Sequence, residues 1–345
     1  MAFCDDALND DSSFGTEEII RKKKKKRKDV EIFYENESDL YSPCIDIEGA
    51  LCVISDEGDI FRYKLIKIKG DEESNDNVTT SSSEGDEAGS VDKEVDDDEY
   101  ISSVDKDEML GKVKKKKDSE KVQEEKYLST DFTAECLCAD NAYNFYVFDP
   151  ITRGLMVIDK NKKMELYTEE YEDEPFKRIT NLVYDRGENI LYVVDAGNMS
   201  EENKCNLYYI NKDIETMVSM DLQNMSYVSS ICIYRKDNIH VIYACLTKEN
   251  RIVRLIKRGN TYIKTDFLYL SGNYSPVFIC TDNMNFVILL KDLTGSEPKG
   301  KILEINSKAE VINTIFINGN HFNGICYDYN MGKYFFVEKN VIYTY

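Results

Sequence analysis

Ile179–Met199, ITNLVYDRGENILYVVDAGNM, followed by Cys205–Ile210, CNLYYI, decides how the rest of the chain reads. Leu182 and Tyr184 stand on an alternating pattern that runs into a polar turn at Asp185–Asn189. A β-branched run, Ile190–Val194, comes next, and a third short apolar stretch follows a loop. A period of two is what a strand packed on one face requires, and Asp, Gly and Asn supply the turn.

The same cadence recurs. Strand–turn–strand pairs stand at FTAECLCADNAYNFYVFD (132–149), SSICIYRKDNIHVIYACL (229–246), SPVFICTDNMNFVILLKD (275–292) and FNGICYDYNMGKYFFVEK (322–339). Each is followed by a further strand: GLMVID from Gly154, NLYYIN from Asn206, RIVRLIK from Arg251, KILEIN from Lys301 and VIYTY from Val341. A copy at 43–70 brings the count to six units, with five or seven as the neighbouring counts, and helical periodicity is nowhere sustained. No single unit can bury its own faces, so the pattern predicts an all-β, six-bladed propeller. The chain ends on the third strand of its last unit and carries a spare strand, DVEIFY, near its start. Pairing of the two would close the ring and remove an exposed edge.

Two segments break the cadence. Residues 1–28 form an acidic lead and a basic run, Arg21, Lys22, Lys23, Lys24, Lys25, Lys26, Arg27 and Lys28. Residues 71–126 are low-complexity, with 13 acidic side chains against one lysine between Asp71 and Glu99, then the basic patch Lys112–Lys117. So few apolar groups cannot offset the entropy of ordering, and the segment reads as a disordered acidic insertion in a propeller spanning 29–345. It holds more than half of the net charge of −21. That charge argues against general nucleic-acid binding, because a phosphate backbone repels an acidic surface. The basic run matches a nuclear-import or anionic-surface patch, so the expected location is the cytoplasm with the nucleus as the alternative, an import receptor being the partner that this run would engage.

Ten cysteines are present, and Cys52, Cys136, Cys138, Cys232, Cys280 and Cys326 sit inside apolar runs, where a free thiol behaves as a small hydrophobe. There is no CxxC pair, and the histidines, His240 and His321, are far apart, which speaks against a structural zinc site. No run approaches 18 apolar residues, and the first residues lack an apolar signal core. Nucleotide, zinc-protease and serine-hydrolase motifs are also missing. Asp149, Asp159 and Asp195 close strands and read as turn-bonding residues.

With the blades laid out, Gly154–Gly197 resembles the strictosidine synthase-like six-bladed propellers, related to paraoxonases and to the gluconolactonase/regucalcin group. ENRIVRL at Glu249–Leu255 is similar to that family's asparagine-arginine-isoleucine strand, and Tyr274–Leu290 to its proline-aspartate-asparagine strand pair. The resemblance implies a calcium site on the channel floor in the lactonases and esterases, built from Glu, Asn and Asp oxygens. Here those positions fall on Thr180 beside Asn181, on Ser229, on Val277 and Phe278, and on Tyr41. Asn323–Gly324 keeps the family's form. The glutamate that serves amine–aldehyde condensation in strictosidine synthase falls on Cys245, with Glu249 four residues on.

The expectation is therefore a catalytically silent, monomeric propeller that presents an interaction surface to a protein partner and needs no cofactor. Thr180, Asn181, Ser229, Phe278 and Asn323 are its channel-facing candidates, and Asn181 and Asn323 its weak metal candidates. The alternative is a calcium-dependent lactonase- or arylesterase-like hydrolase, or a strictosidine synthase-like enzyme, with Cys245 or Glu249 as the catalytic candidates.

Overall fold

The structure, a computed structural model, describes residues 29–68, 119–197, 205–220, 225–236, 239–258, 261–294 and 299–345. The basic run 21–28 and most of the acidic insertion lie outside the described residues. Six four-stranded antiparallel sheets form a ring. Blade 1 holds Leu40–Ile45, Leu51–Ser55, Asp59–Ile68 and Ser119–Ser129. Blade 2 holds Leu137–Ala139, Phe145–Asp149, Gly154–Ile158 and Met164–Thr168. Blade 3 holds Ile179–Asp185, Ile190–Asp195, Asn206–Asn211 and Thr216–Met220. Blade 4 runs Val228–Lys236, Ile239–Leu246, Arg251–Arg258 and Thr261–Tyr269, and blade 5 runs Tyr274–Thr281, Asn285–Asp292, Lys299–Asn306 and Val311–Asn318. In blade 6, Phe322–Asp328, Lys333–Glu338 and Val341–Thr344 are completed by Glu31–Glu35 from the other end of the chain.

That last pairing is the expected ring closure. Glu31 stands opposite Thr344 and Glu35 opposite Val341, and the ladder is extended by Asn36 N donating to Asn340 O at 2.9 Å. Phe33 packs edge-on against the buried Phe335 at 5.0 Å, and Tyr34 against Tyr63 at 4.7 Å.

One boundary differs from the sequence reading. The strand Ser119–Ser129 begins inside the 71–126 segment and pairs along Asp59–Ile68 as the outer strand of blade 1. Its sequence, SEKVQEEKYLS, is rich in charge because an outermost strand buries little of itself. Backbone pairing, not apolar content, makes it a strand.

Six apolar cores fill the six gaps between neighbouring blades. Tyr234, Tyr243 and Phe286, for example, join blades 4 and 5, with Tyr243 and Phe286 at 4.5 Å. The inner strands of blades 3, 4, 5 and 6 each carry a bulge near their start, at Thr180, Ser229, Val277 and Asn323, and blade 1 has a similar irregularity after Tyr41. A bulge re-aims a side chain, and here it aims polar groups at the next blade. Thr180 Oγ1 donates to Val228 O at 3.0 Å, Ser229 Oγ to Val277 O at 2.8 Å and Asn323 Nδ2 to Leu40 O at 2.8 Å. Gly324 sits at φ +150°, where an added Cβ would lie 2.4 Å from Pro43 Cδ, so only glycine permits that approach of blade 6 to blade 1.

Candidate functional site

The inner strands enclose a central cavity of about 500 Å³. Thr180, Asn181 and Phe278 line it, but the family's calcium-type positions are committed elsewhere. Thr180, Ser229 and Asn323 are the interblade bonds just described, and Asn181 Oδ1 accepts from Ile231 N at 3.0 Å. These oxygens and nitrogens hold the ring together.

The catalytic candidates fare no better as chemistry. Cys245 is fully buried in the core between blades 4 and 5, and burial pushes its thiol well up. A thiol held protonated is a poor nucleophile. Glu249 sits in a short 3₁₀ turn, Thr247–Glu249. Its partial burial would raise the carboxyl pKa, yet bonds from Ser226 and Arg251 overcome this and hold it below the ordinary range. Iminium chemistry needs a raised carboxylic acid, so neither residue suits the condensation role.

The closing aspartates behave as read. Asp149 Oδ1 accepts from Ile151 N at 2.8 Å, Asp159 Oδ1 from Asn161 N at 2.9 Å, and Asp195 from Lys177 N, Arg178 N and Gly197 N at 2.9–3.0 Å.

The expectation of no cofactor is corrected by a cluster between blades 3 and 4, of which Asp185 lines the central cavity. Asp185, Glu188 and His240 bring their ligand atoms within 4.8 Å of one another. Asp185 ends the inner strand of blade 3, Glu188 lies in the turn that follows, and His240 opens the second strand of blade 4. Like the aspartates at the same turn in other blades, Asp185 uses one oxygen locally, with Oδ1 accepting from Gly187 N at 3.0 Å. Its Oδ2 is left facing blade 4. There it meets Arg235, whose Nε donates at 3.2 Å, and His240 Nε2 at 3.5 Å. Arg235 also pairs with Glu188 at 3.1 Å.

The Nε2 of His240 is buried and makes no hydrogen bond. Burial lowers the imidazole pKa and outweighs the opposing pull of Glu188 and Asp185, while Arg235 lowers it further. The ring is thus neutral at neutral pH, the form that binds metal. Two carboxylates and one neutral imidazole, on strand ends held by the two sheets, make a credible ligand set for a divalent cation. Sequence reading missed the group because its members lie in two blades. The spacing of blades 3 and 4, which sets Thr180 against Ser229, also brings Asp185 beside Arg235 and was the available signal.

No protein-family profile matches the sequence, and no curated protein matches it. The fold does match solved structures. A gluconolactonase from Xanthomonas campestris is 11% identical with a TM-score of 0.61, covering 91% of this chain and 88% of that one. A calcium-binding regucalcin from Agrobacterium tumefaciens is 11% identical with a TM-score of 0.57, covering 88% of each chain. Virginiamycin B lyase from Staphylococcus aureus is 14% identical with a TM-score of 0.50, covering 92% and 88%. At these identities the likeness is one of architecture: the chain is a six-bladed propeller of the same fold as gluconolactonase and regucalcin.

Proposed function

We propose that this propeller is a divalent-metal-dependent hydrolase of small esters or lactones, with the ion between blades 3 and 4 on Asp185, Glu188 and His240. The single observation carrying this reading is the buried, unbonded Nε2 of His240, turned to a carboxylate oxygen of the neighbouring blade. A buried imidazole nitrogen without a partner costs free energy unless something binds it. The imidazole favours a borderline cation such as zinc or manganese over calcium, which prefers six to eight oxygens. An ion held by Asp185, Glu188 and His240 would supply the Lewis acidity that ester hydrolysis uses to activate water and polarise a carbonyl. Arg235 pairs with both Asp185 and Glu188 and so holds the two carboxylates side by side.

The test is thermal melting and calorimetric titration with zinc, manganese and calcium, followed by pH-stat hydrolysis of a lactone and an aryl ester. The reading expects one ion per chain, a raised Tm, and loss of both binding and turnover in His240→Ala. An unchanged Tm with every cation, together with no hydrolysis, sinks it. A second reading, a non-catalytic surface for a protein partner, is supported by the use of Thr180, Ser229 and Asn323 for interblade bonds. That outcome of the titration would favour it.

A further inference from the structure

Inside the channel the wall turns apolar. Cys44, Cys138, Cys280 and Cys326 each stand two residues ahead of an aspartate just at or past the end of an inner strand: Asp46, Asp140, Asp282 and Asp328. Cys232 takes the matching place in blade 4, and Val183 in blade 3. Each blade thus gives one small side chain to a single layer, and all six line the central cavity. The five thiols are free. Burial pushes those of Cys138 and Cys280 up to about 12, and holds those of Cys232 and Cys326 well above the ordinary range. They stay protonated, and a protonated thiol behaves as a small hydrophobe.

The polar side chains of the same cavity are already engaged by the protein. Ser42 Oγ donates to Leu137 O at 3.1 Å, and Ser230 Oγ accepts from Ile279 N at 3.4 Å. Asp46 Oδ1 accepts from Glu48 N and Ala50 N at 2.9 Å, and Asp328 Oδ1 from Asn330 N at 2.8 Å. Arg186 reaches from blade 3 to blade 1, where its Nη2 donates to Ile45 O at 2.6 Å. Thr180 and Asn181 hold the ring, and Asp185 is paired with Arg235. A charged or polyhydroxylated guest would give up its hydrogen bonds to water and find these partners taken. Apolar surface placed there gains by leaving water. A volume of about 500 Å³ lies within the range of small-molecule sites.

We propose that the central channel binds an uncharged molecule with an apolar body, one or two rings or a comparable acyl chain, seated against the layer of Cys44, Cys138, Val183, Cys232, Cys280 and Cys326. The proposal deepens the hydrolase reading, on which it rests for turnover though not for binding. Asp185 lines the same cavity two residues past Val183, so the layer holds the acyl or aryl part of the substrate while its ester group meets the Asp185 end. The substrate class that follows is an apolar ester or lactone, not a sugar lactone.

The experiment titrates the full chain with N-phenyl-1-naphthylamine, an uncharged probe whose fluorescence rises in an apolar site. Saturation at one probe per chain is expected, with displacement by δ-decalactone and none by methyl glucoside at far higher concentration. Cys280→Asp and Val183→Asp each bring a carboxylate into the layer and should weaken probe binding more than about tenfold. Cys205→Ala, which alters a thiol in the core between blades 3 and 4, should bind as wild type. Far-UV circular dichroism checks that each variant is folded, and where the aspartate variants misfold, the competition on wild type decides. Fluorescence that rises without saturating, displacement by methyl glucoside, or full affinity in the folded aspartate variants overturns the proposal. Wild type that binds the probe yet hydrolyses neither ester nor lactone keeps this site and removes the hydrolase reading. Hydrolysis of gluconolactone without probe binding keeps that reading and overturns this site.

Discussion

Closing the ring with a strand from the far end of the chain carries a definite energetic consequence. Phe33→Ala/Tyr34→Ala removes the two side chains through which Glu31–Glu35 grips the rest of the molecule. Phe33 packs on Phe335, and Tyr34 on Tyr63, the latter in blade 1. Both truncated side chains are half-buried. Full burial of a phenylalanine is worth about 3–5 kcal/mol on truncation to alanine, so half of that, about 2 kcal/mol each, is the expected loss. The two rings meet different partners, and the effects should largely add, to about 4 kcal/mol or close to a thousandfold in the folding equilibrium. Urea unfolding followed by tyrosine fluorescence measures this as a lower midpoint at an unchanged slope. Undocking would also bare the edge of Val341–Thr344, so size-exclusion chromatography with light scattering should show concentration-dependent association. A double variant within about 0.5 kcal/mol of wild type, and still monodisperse, would refute the closure argument.

Gly324→Ala forces a Cβ against Pro43 and Ser42 at a backbone angle that alanine avoids, and should cost about 2–3 kcal/mol in urea unfolding; a neutral result would mean that blade 6 can recede from blade 1. Cys245→Ser buries a hydroxyl in an apolar core and should cost about 1–3 kcal/mol, while Cys245→Ala leaves any esterase activity intact; abolished turnover in a folded alanine variant would restore the thiol as a catalytic group. The carboxyl of Glu249 is held low against its own burial by Ser226 and Arg251. Its contribution to stability is therefore complete above the ordinary carboxylate range and is lost as pH falls through the lowered folded value. Glu249→Gln should flatten the acid limb of the Tm-against-pH curve, and identical limbs in the two proteins would count against that linkage.

Much of the architecture was legible because each blade repeats one local rule. Alternation into an Asp- or Asn-bearing turn, then a β-branched run, marks an inner strand and its neighbour wherever it occurs, and the spare strand at 29–34 found its partner at Val341–Thr344. What escaped was the outermost layer. Ser119–Ser129 has little apolar content because its outer side faces water, so no hydrophobic period betrays it. The thiol layer escaped for a related reason. Each cysteine, taken alone, is a small buried hydrophobe, and only the shared register of the inner strands shows that five of them ring one cavity.

The site is harder to read than the fold because a propeller can put chemistry at either end of its inner strands, and sequence likeness points to only one of them. Thr180 and Asp185 belong to the same strand, five residues apart, which is about 17 Å along an extended chain. An ion on Asp185 therefore cannot be ligated by Thr180, Asn181, Ser229 or Asn323, and the two ends are alternatives. At the Thr180 end, the polar groups already have partners in the next blade, so recruiting them to a cation would break the bonds that lock the ring. At the Asp185 end, the hairpin turn satisfies Oδ1, and Oδ2, paired with Arg235, also faces a histidine nitrogen that has no bond of its own. A cation at the first end would have to be purchased with interblade contacts, whereas at the second it gives the unpartnered histidine nitrogen a bond and shares the carboxylates with Arg235. Asn181→Ala should accordingly lower stability without changing metal affinity, and His240→Ala should do the reverse. If the two variants exchange these phenotypes, the site lies at the other mouth of the channel.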